Sequence, residues 1–202
     1  MRRFIGEEVP EHEDRRYTHE EILILVKNTI PKLATAILLM SSSGVRVGSL
    51  PNLLVGHLEK KGGLYKINVY KGLKGKGQYY TFCTPECAKA IDDYVEFRQR
   101  CGEKISPNSP LFRKHFDTDF HEKARNDVHP WRIDAMNELL RKALVHNGLI
   151  TIDHVNPSGN RKEVKMSHGF RKFFKSQLVL SKVDSDKNVA HGTFQEGIRI
   201  TV

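Results

Sequence analysis

The sequence has few cysteines, and none of them lies in a CxxC pair. Cys83, Cys87 and Cys101 are an odd, sparse set among 202 residues. Such a set argues against a disulfide framework or a structural zinc site, so we expect three free thiols. The ten histidines include no HExxH motif and no Cys/His ligand array, and no metal site is predicted.

Long apolar runs are also missing. The longest, Leu33 to Met40, is far shorter than the roughly 20 residues that cross a bilayer, and the N-terminus has no signal-peptide core. These absences predict a soluble, cytoplasmic protein with no membrane partner. With 39% hydrophobic residues, the chain has enough apolar surface for one folded domain, but two full domains would be cramped.

Positive charge is in excess. The chain has 33 Lys and Arg against 24 Asp and Glu, a formal net charge of +9. This balance suits a polyanionic partner, because neutralising phosphates releases condensed counterions. It is equally typical of a solvated basic surface, so charge alone does not decide between the two.

The N-terminal half predicts a charged lead followed by two helices. Residues 1–17 are charged and without periodicity, which is typical of a linker outside the core. Thr18 followed by Glu21 forms a capping box, so a helix is predicted to begin at Thr18 and to end by Pro31. The segment Leu33 to Ser41 is apolar on nearly every side, which predicts a buried helix leading into a glycine-containing turn.

The remaining chain predicts one small sheet and further helices. Short runs from Leu54 to Cys83, separated by turn residues, indicate a three-stranded antiparallel sheet. Helices are predicted to start at Thr84–Glu86, to span Ile133–His146 and to begin near His168, with 151–165 as a charged connection. The predicted core positions near these helices are Trp131, Phe170, Phe173, Phe174 and Leu178. The fold class is therefore mainly α with a small three-stranded antiparallel β-sheet (α+β).

Three short segments are candidates for chemistry. They are Gly44–Arg46, the lysine-rich hairpin Lys71–Lys76, and His168–Arg171. Each has a structural interpretation as well. An arginine after a turn can serve packing, hairpin lysines protect a sheet edge, and a His and an Arg three residues apart commonly share a helix face.

The order of these segments resembles a known family. The segments SSSGVRVGSLPNL, YYTFCTPECAKAIDDYVEFR, KISPNSPLFR and HGFRKFFKSQL resemble tyrosine recombinases and phage-type integrases, above all integrases of archaeal genomes. The resemblance covers roughly residues 18–180, leaving 181–202 as a divergent or truncated tail. It implies a recombinase catalytic-domain fold and breakage and rejoining of double-stranded DNA through a phosphotyrosine.

The resemblance also implies roles for individual residues. Arg46 and Arg171 would clamp the phosphate, because fixed guanidinium groups stabilise the charge that develops on its oxygens. A hairpin lysine, Lys74 first and Lys76 second, would protonate the departing 5′ oxygen, and His168 would assist proton transfer. The remaining assignments are His191 as the candidate for a later histidine, Lys71 and Lys76 as DNA contacts, and no role for Lys172. No metal or nucleotide cofactor is implied, since the covalent intermediate conserves the bond energy.

One departure from the family concerns the nucleophile. The six tyrosines are Tyr17, Tyr65, Tyr70, Tyr79, Tyr80 and Tyr94, so none follows His168. Tyr79 and Tyr80 lie on a predicted strand and are expected to pack or to contact DNA.

The missing tyrosine leaves two hypotheses open. The chain is either a recombinase domain whose nucleophile is lost, truncated or supplied by another chain, or a catalytically inactive DNA-binding module or partner of a complete integrase. In either case self-association or pairing with a complete recombinase on DNA is expected. An unrelated RNA-binding protein fits less well, because the sequence has no base-stacking or zinc-knuckle signature.

Overall fold

The computed structural model describes residues 15–116, 118, 121–150 and 166–181. Within these ranges the chain forms six α-helices and one three-stranded sheet. In chain order the elements are α1 (His19–Lys27), α2 (Pro31–Ser43), β1 (Leu58–Lys61), β2 (Leu64–Val69), β3 (Tyr79–Phe82), α3 (Pro85–Arg100), α4 (His121–Asn126), α5 (Ile133–His146) and α6 (Met166–Leu180). Two 3-10 segments, Val47–Asn52 and Val55–His57, connect α2 to β1.

The first helix begins where its capping residues predict. Thr18 Oγ1 accepts a hydrogen bond from Glu21 N at 3.2 Å, and Glu21 Oε2 accepts one from Thr18 N at 2.8 Å. These bonds satisfy backbone donors that a helix start leaves unpaired. The helix ends at Lys27, before Pro31, which instead opens α2. Proline suits that position because the first helical turn does not use its N–H.

Helix α2 is the centre of the domain. Helices α1, α3 and α6 pack around it, and every residue from Lys32 to Ser43 is buried. The predicted buried helix is therefore confirmed. Because α2 is enclosed by three neighbours, the turn at its C-terminal end is held in place by the core.

The predicted antiparallel sheet is confirmed, with strand order β1-β2-β3. Strand β2 is central, and its Ile67 and Val69 point to one buried face, two residues apart as a strand requires. The first strand is shorter than the apolar run suggested. It starts at Leu58, because Val55–His57 turns as a 3-10 segment after Leu54 bridges to Pro110.

Tyr17 corrects the expectation that residues 1–17 lie outside the core. Its ring is 1% exposed and stacks on Phe170 of α6, with ring centroids 4.3 Å apart. Just before it, Arg15 pairs with Glu21 at 2.7 Å. The charged neighbours of Tyr17 predict a solvated segment, but the large apolar area of the Tyr17 ring favours burial beside the capped helix. The outer limits of the domain at 18 and 180 stay predictions.

The C-terminal helices follow the predicted pattern. Helix α5 spans Ile133–His146 as expected, and Met136, Leu140 and Leu144 are buried. Trp131 lies at the entrance of α5 with 4% exposure, which confirms it as a core anchor. Helix α4 was not predicted, and the connection 151–165 lies outside the described residues.

Four buried charged side chains form a cluster between α2, α3 and the loop that follows α3. Glu103 accepts hydrogen bonds from Arg98 Nε at 3.0 Å and from Arg113 Nη1 at 2.7 Å. Burial acts to raise the pKa of Glu103, but these two arginines outweigh it and hold the pKa below its usual value. Lys32 Nζ lies 4.3 Å from the centre of the Trp131 ring, and burial followed by the charge of Arg113 lowers its pKa to about 8.

The described residues include all three cysteines and the helices that the sequence predicts. Cys83, Cys87 and Cys101 form no disulfide bond, as expected, and all three are buried. No helix in the described part of the chain combines the length and the apolar character needed to cross a membrane.

Candidate functional site

The turn after α2 presents Arg46. Gly44 ends the helix with a left-handed φ of +65° and donates its N–H to Met40 O at 3.1 Å. The carbonyl of Arg46 accepts hydrogen bonds from Ser49 N at 2.9 Å and from Ser49 Oγ at 2.6 Å. The backbone of Arg46 is therefore fixed, while its side chain is exposed.

Helix α6 brings Arg171 to the same turn. An added Cβ on Gly44 would lie 2.3 Å from Cδ1 of Phe174, so the glycine allows α6 to approach the backbone closely. Arg171, one turn before Phe174, donates from Nη1 to the carbonyl of Gly44. His168 lies one further turn towards the helix start and is exposed. Spacings of three residues place all three on one side of the helix.

Arg46 and Arg171 form a pair of like charges. Burial lowers the pKa of Arg171 below its ordinary value, and the positive charge of Arg46 lowers it further. Among the residues that the structure describes, neither guanidinium forms a salt bridge with a carboxylate. The buried Arg98, in contrast, is neutralised by Glu103. Two adjacent cations without a counter-charge are stabilised when an anion binds between them.

The hairpin between β2 and β3 adds more positive charge. Lys71, Lys74 and Lys76 are all exposed. Lys76 Nζ lies 4.9 Å from the centre of the Tyr70 ring, within the range of a cation–π contact. Lys74 makes no ion pair or ring contact with another described residue.

Tyr79 is the residue that sequence reasoning did not assign to this site. It is half-buried at the start of β3, and the charges of both Arg171 and Arg46 act on its hydroxyl. The sequence signal that could have placed Tyr79 here is the alternation of side chains along β3, which puts Tyr79 and Thr81 on one face. Thr81, two residues on, shares its face and donates to Ser43 O at 2.9 Å, so this face meets the end of α2.

The remaining sequence candidates are placed as follows. His191 lies outside the described residues. Lys172 follows Arg171 on α6 and is half-buried. In the described ranges, no group of three or more His, Cys, Asp or Glu side chains is arranged to hold a metal ion.

Comparison with known proteins identifies the fold. No protein-family model and no curated protein sequence matches the chain. Solved structures do match. The crystal structure of XerA recombinase superposes with a TM-score of 0.65 at 18% identity, over 91% of this chain and 58% of that one.

Two complexes of XerH site-specific recombinase are also similar. The pre-cleavage complex with the difH substrate has a TM-score of 0.61 at 13% identity and covers 88% of this chain and 47% of that one. The post-cleavage complex with palindromic difH has a TM-score of 0.62 at 14% identity and covers 89% and 47%. The chain thus spans about half the length of the recombinases that it matches. The predicted fold, that of a tyrosine recombinase catalytic domain, is confirmed.

Proposed function

We propose that this chain is a catalytic domain of the tyrosine recombinase family and acts on double-stranded DNA inside the cell. The observation that carries the proposal is the pairing of Arg46 and Arg171 without a carboxylate, at the point where α6 meets the turn after α2. The fold shared with XerA and XerH supports it, since XerH is bound to a difH substrate in its complexes. The closer likeness to archaeal integrases stays a prediction from the sequence.

The two arginines suit phosphoryl transfer. Attack on the phosphorus of a phosphodiester adds negative charge to the non-bridging oxygens, and guanidinium groups held in place stabilise that charge. The nucleophilic hydroxyl forms the new P–O bond and gives up its proton, while the bond to the 5′ oxygen breaks. His168, exposed on the same side of α6, is placed to assist that proton transfer.

A hairpin lysine supplies the proton for the departing 5′ oxygen in this proposal. The sequence favoured Lys74 over Lys76. The contact of Lys76 with Tyr70 instead favours Lys76, because the Tyr70 ring also contacts Tyr79. Lys71 and Lys74 are then left to contact the phosphate backbone.

The 202 residues contain no tyrosine at the position where family members carry the nucleophile. No tyrosine follows His168 in the 202 residues. A tyrosine from another chain, or from a continuation of this one, would complete the reaction. Without such a donor, the same arginines and lysines make a DNA-binding module, which is the second candidate function.

DNA binding is tested by fluorescence anisotropy with a labelled mixed-sequence duplex over a range of salt concentrations. We expect log K to fall steeply with log salt. Arg46→Ala and Arg171→Ala should each weaken binding and reduce the slope by about one. Arg141→Ala is the matched control, since Arg141 already pairs with Glu138 at 2.9 Å. Equal affinities for all four proteins would place the DNA surface elsewhere.

Strand cleavage separates the two candidate functions. A tyrosine-bearing C-terminal segment of a recombinase is added to the protein with a library of duplexes, and covalent protein–DNA adducts are counted after denaturation. An adduct that requires Arg46 and Arg171 supports latent catalysis. Salt-sensitive binding with no adduct on any duplex supports the binding module.

A further inference from the structure

Tyr79 lies beside the arginine pair because of how β3 is attached to α2. The hydrogen bond from Thr81 Oγ1 to Ser43 O, 2.9 Å long, joins the strand to the last residue of α2. Gly44, the next residue, accepts the hydrogen bond from Arg171. Tyr79 shares the face of Thr81, so its side chain points to the same end of α2.

The hydroxyl of Tyr79 is available to a ligand. Tyr65, for comparison, uses its hydroxyl to donate to Asp92 at 2.5 Å. The hydroxyl of Tyr17 is enclosed in the core without a partner. In the described part of the chain no group hydrogen-bonds the Tyr79 hydroxyl, and it is not enclosed in this way.

The phenol of Tyr79 is in the protonated form that a hydrogen-bond donor requires. Burial raises the pKa of its phenol, the charge of Arg171 lowers it, Tyr70 raises it and Arg46 lowers it, with a net increase above the ordinary value. The phenol is therefore neutral at physiological pH and keeps its O–H. A neutral donor near two cations adds a hydrogen bond to a bound anion without adding to the repulsion between the arginines.

Tyr70 fixes the orientation of the Tyr79 ring. The two rings meet edge to face, with centroids 6.2 Å apart. Tyr70 itself has a left-handed φ of 60°, which is uncommon for a bulky residue and marks a special conformation at the hairpin. Lys76 lies over the same ring. One aromatic ring thus contacts both Tyr79 and a hairpin lysine.

We propose that Tyr79 is a phosphate-binding residue whose hydroxyl donates a hydrogen bond to the DNA phosphate held by Arg46 and Arg171, with Tyr70 as its positioning residue. This inference rests on the proposed function. It assigns Tyr79 to phosphate binding and not to nucleophilic attack. It also gives a reason for tyrosine instead of phenylalanine at this position of β3, because packing alone would not require a hydroxyl.

The test compares Tyr79→Phe with Tyr80→Phe in the same anisotropy assay. Tyr80 lies on the opposite face of β3, where Lys66 Nζ is 4.8 Å from its ring centre, so it is the matched control for loss of one hydroxyl. Tyr79→Phe should weaken binding roughly tenfold at every salt concentration, as expected for a hydrogen bond to a charged group. The salt slope should be unchanged, because no charge is removed. Tyr80→Phe should bind as the unsubstituted protein does.

The outcomes distinguish this inference from the proposed function. If Arg46→Ala and Arg171→Ala weaken binding but Tyr79→Phe does not, the inference is wrong and the function stands. A changed salt slope in Tyr79→Phe would also overturn it, since the arginines would then have moved. If the unsubstituted protein shows no salt-dependent binding, the proposed function itself is wrong. Thermal unfolding of Tyr79→Phe should match the unsubstituted protein, because the ring and its contact with Tyr70 remain.

Discussion

Replacing Gly44 by alanine should both destabilise the domain and disturb the candidate site. The glycine has a φ of +65°, a conformation that costs an L-residue roughly 1–2 kcal/mol. The new Cβ would lie 2.3 Å and 2.7 Å from two atoms of the Phe174 ring, so α6 must shift. Overpacking of this kind costs roughly 1–3 kcal/mol. Together the two effects predict a loss of about 2–5 kcal/mol in the free energy of unfolding.

Urea denaturation measures this loss, with Gly48→Ala as the control. Gly48 lies four residues further on and has no atom within 4 Å of an added Cβ, so its substitution should change stability by no more than about 0.5 kcal/mol. The double substitution Gly44→Ala/Phe174→Leu should be less destabilising than the sum of the single changes by roughly 1 kcal/mol, because leucine removes ring atoms from the clash.

Two results would refute the reasoning about Gly44. One is a loss below about 1 kcal/mol for Gly44→Ala, which would mean that α6 does not approach the turn this closely. The other is strict additivity with Phe174→Leu. Because Arg171 lies on the displaced helix, the same substitution should also weaken DNA binding if the proposed function holds.

Three further substitutions test the buried charges and the start of α1. Glu103→Gln should cost roughly 3–5 kcal/mol in urea denaturation at neutral pH, since it leaves Arg98 and Arg113 buried without their counter-charge. That cost should shrink as the pH falls through the depressed pKa of Glu103, and a cost that is independent of pH would contradict it. Lys32 has a pKa of about 8 in the folded protein against 10.5 ordinarily, so between these pH values the unfolded chain binds more protons and stability should rise with pH, by on the order of 3 kcal/mol. Lys32→Met should lack this rise when both proteins are unfolded in urea at several pH values, and parallel pH profiles would show that Lys32 is charged in the core. Thr18→Ala removes the cap of α1 and should cost about 1 kcal/mol in thermal or urea unfolding, whereas no change would mean that the helix start is held by packing alone.

Local sequence signals predicted most elements of the fold. The capping box at Thr18, the Thr84 cap followed by proline and the apolar period of α5 each predicted a helix whose observed start lies within one residue of the expected one. These signals depend on neighbours within a few positions along the chain. They failed where distant contacts decide. Tyr17 is buried because Phe170 lies under its ring, and nothing near Tyr17 in the sequence reveals that partner.

The candidate site, too, is predictable from local sequence in part, and the rest of it depends on contacts between distant residues. The sequence alone predicts that Arg46, His168 and Arg171 handle a phosphate, because they lie in recognisable segments and carry the required charge and donors. The packing of the folded chain, in contrast, brings Arg171 to the turn at Gly44 and places Tyr79 where the charges of both arginines act on its phenol. These neighbours are far apart along the chain. Their meeting depends on the enclosure of α2 by the core and on the close approach that a glycine permits, which are properties of packing and not of any local pattern.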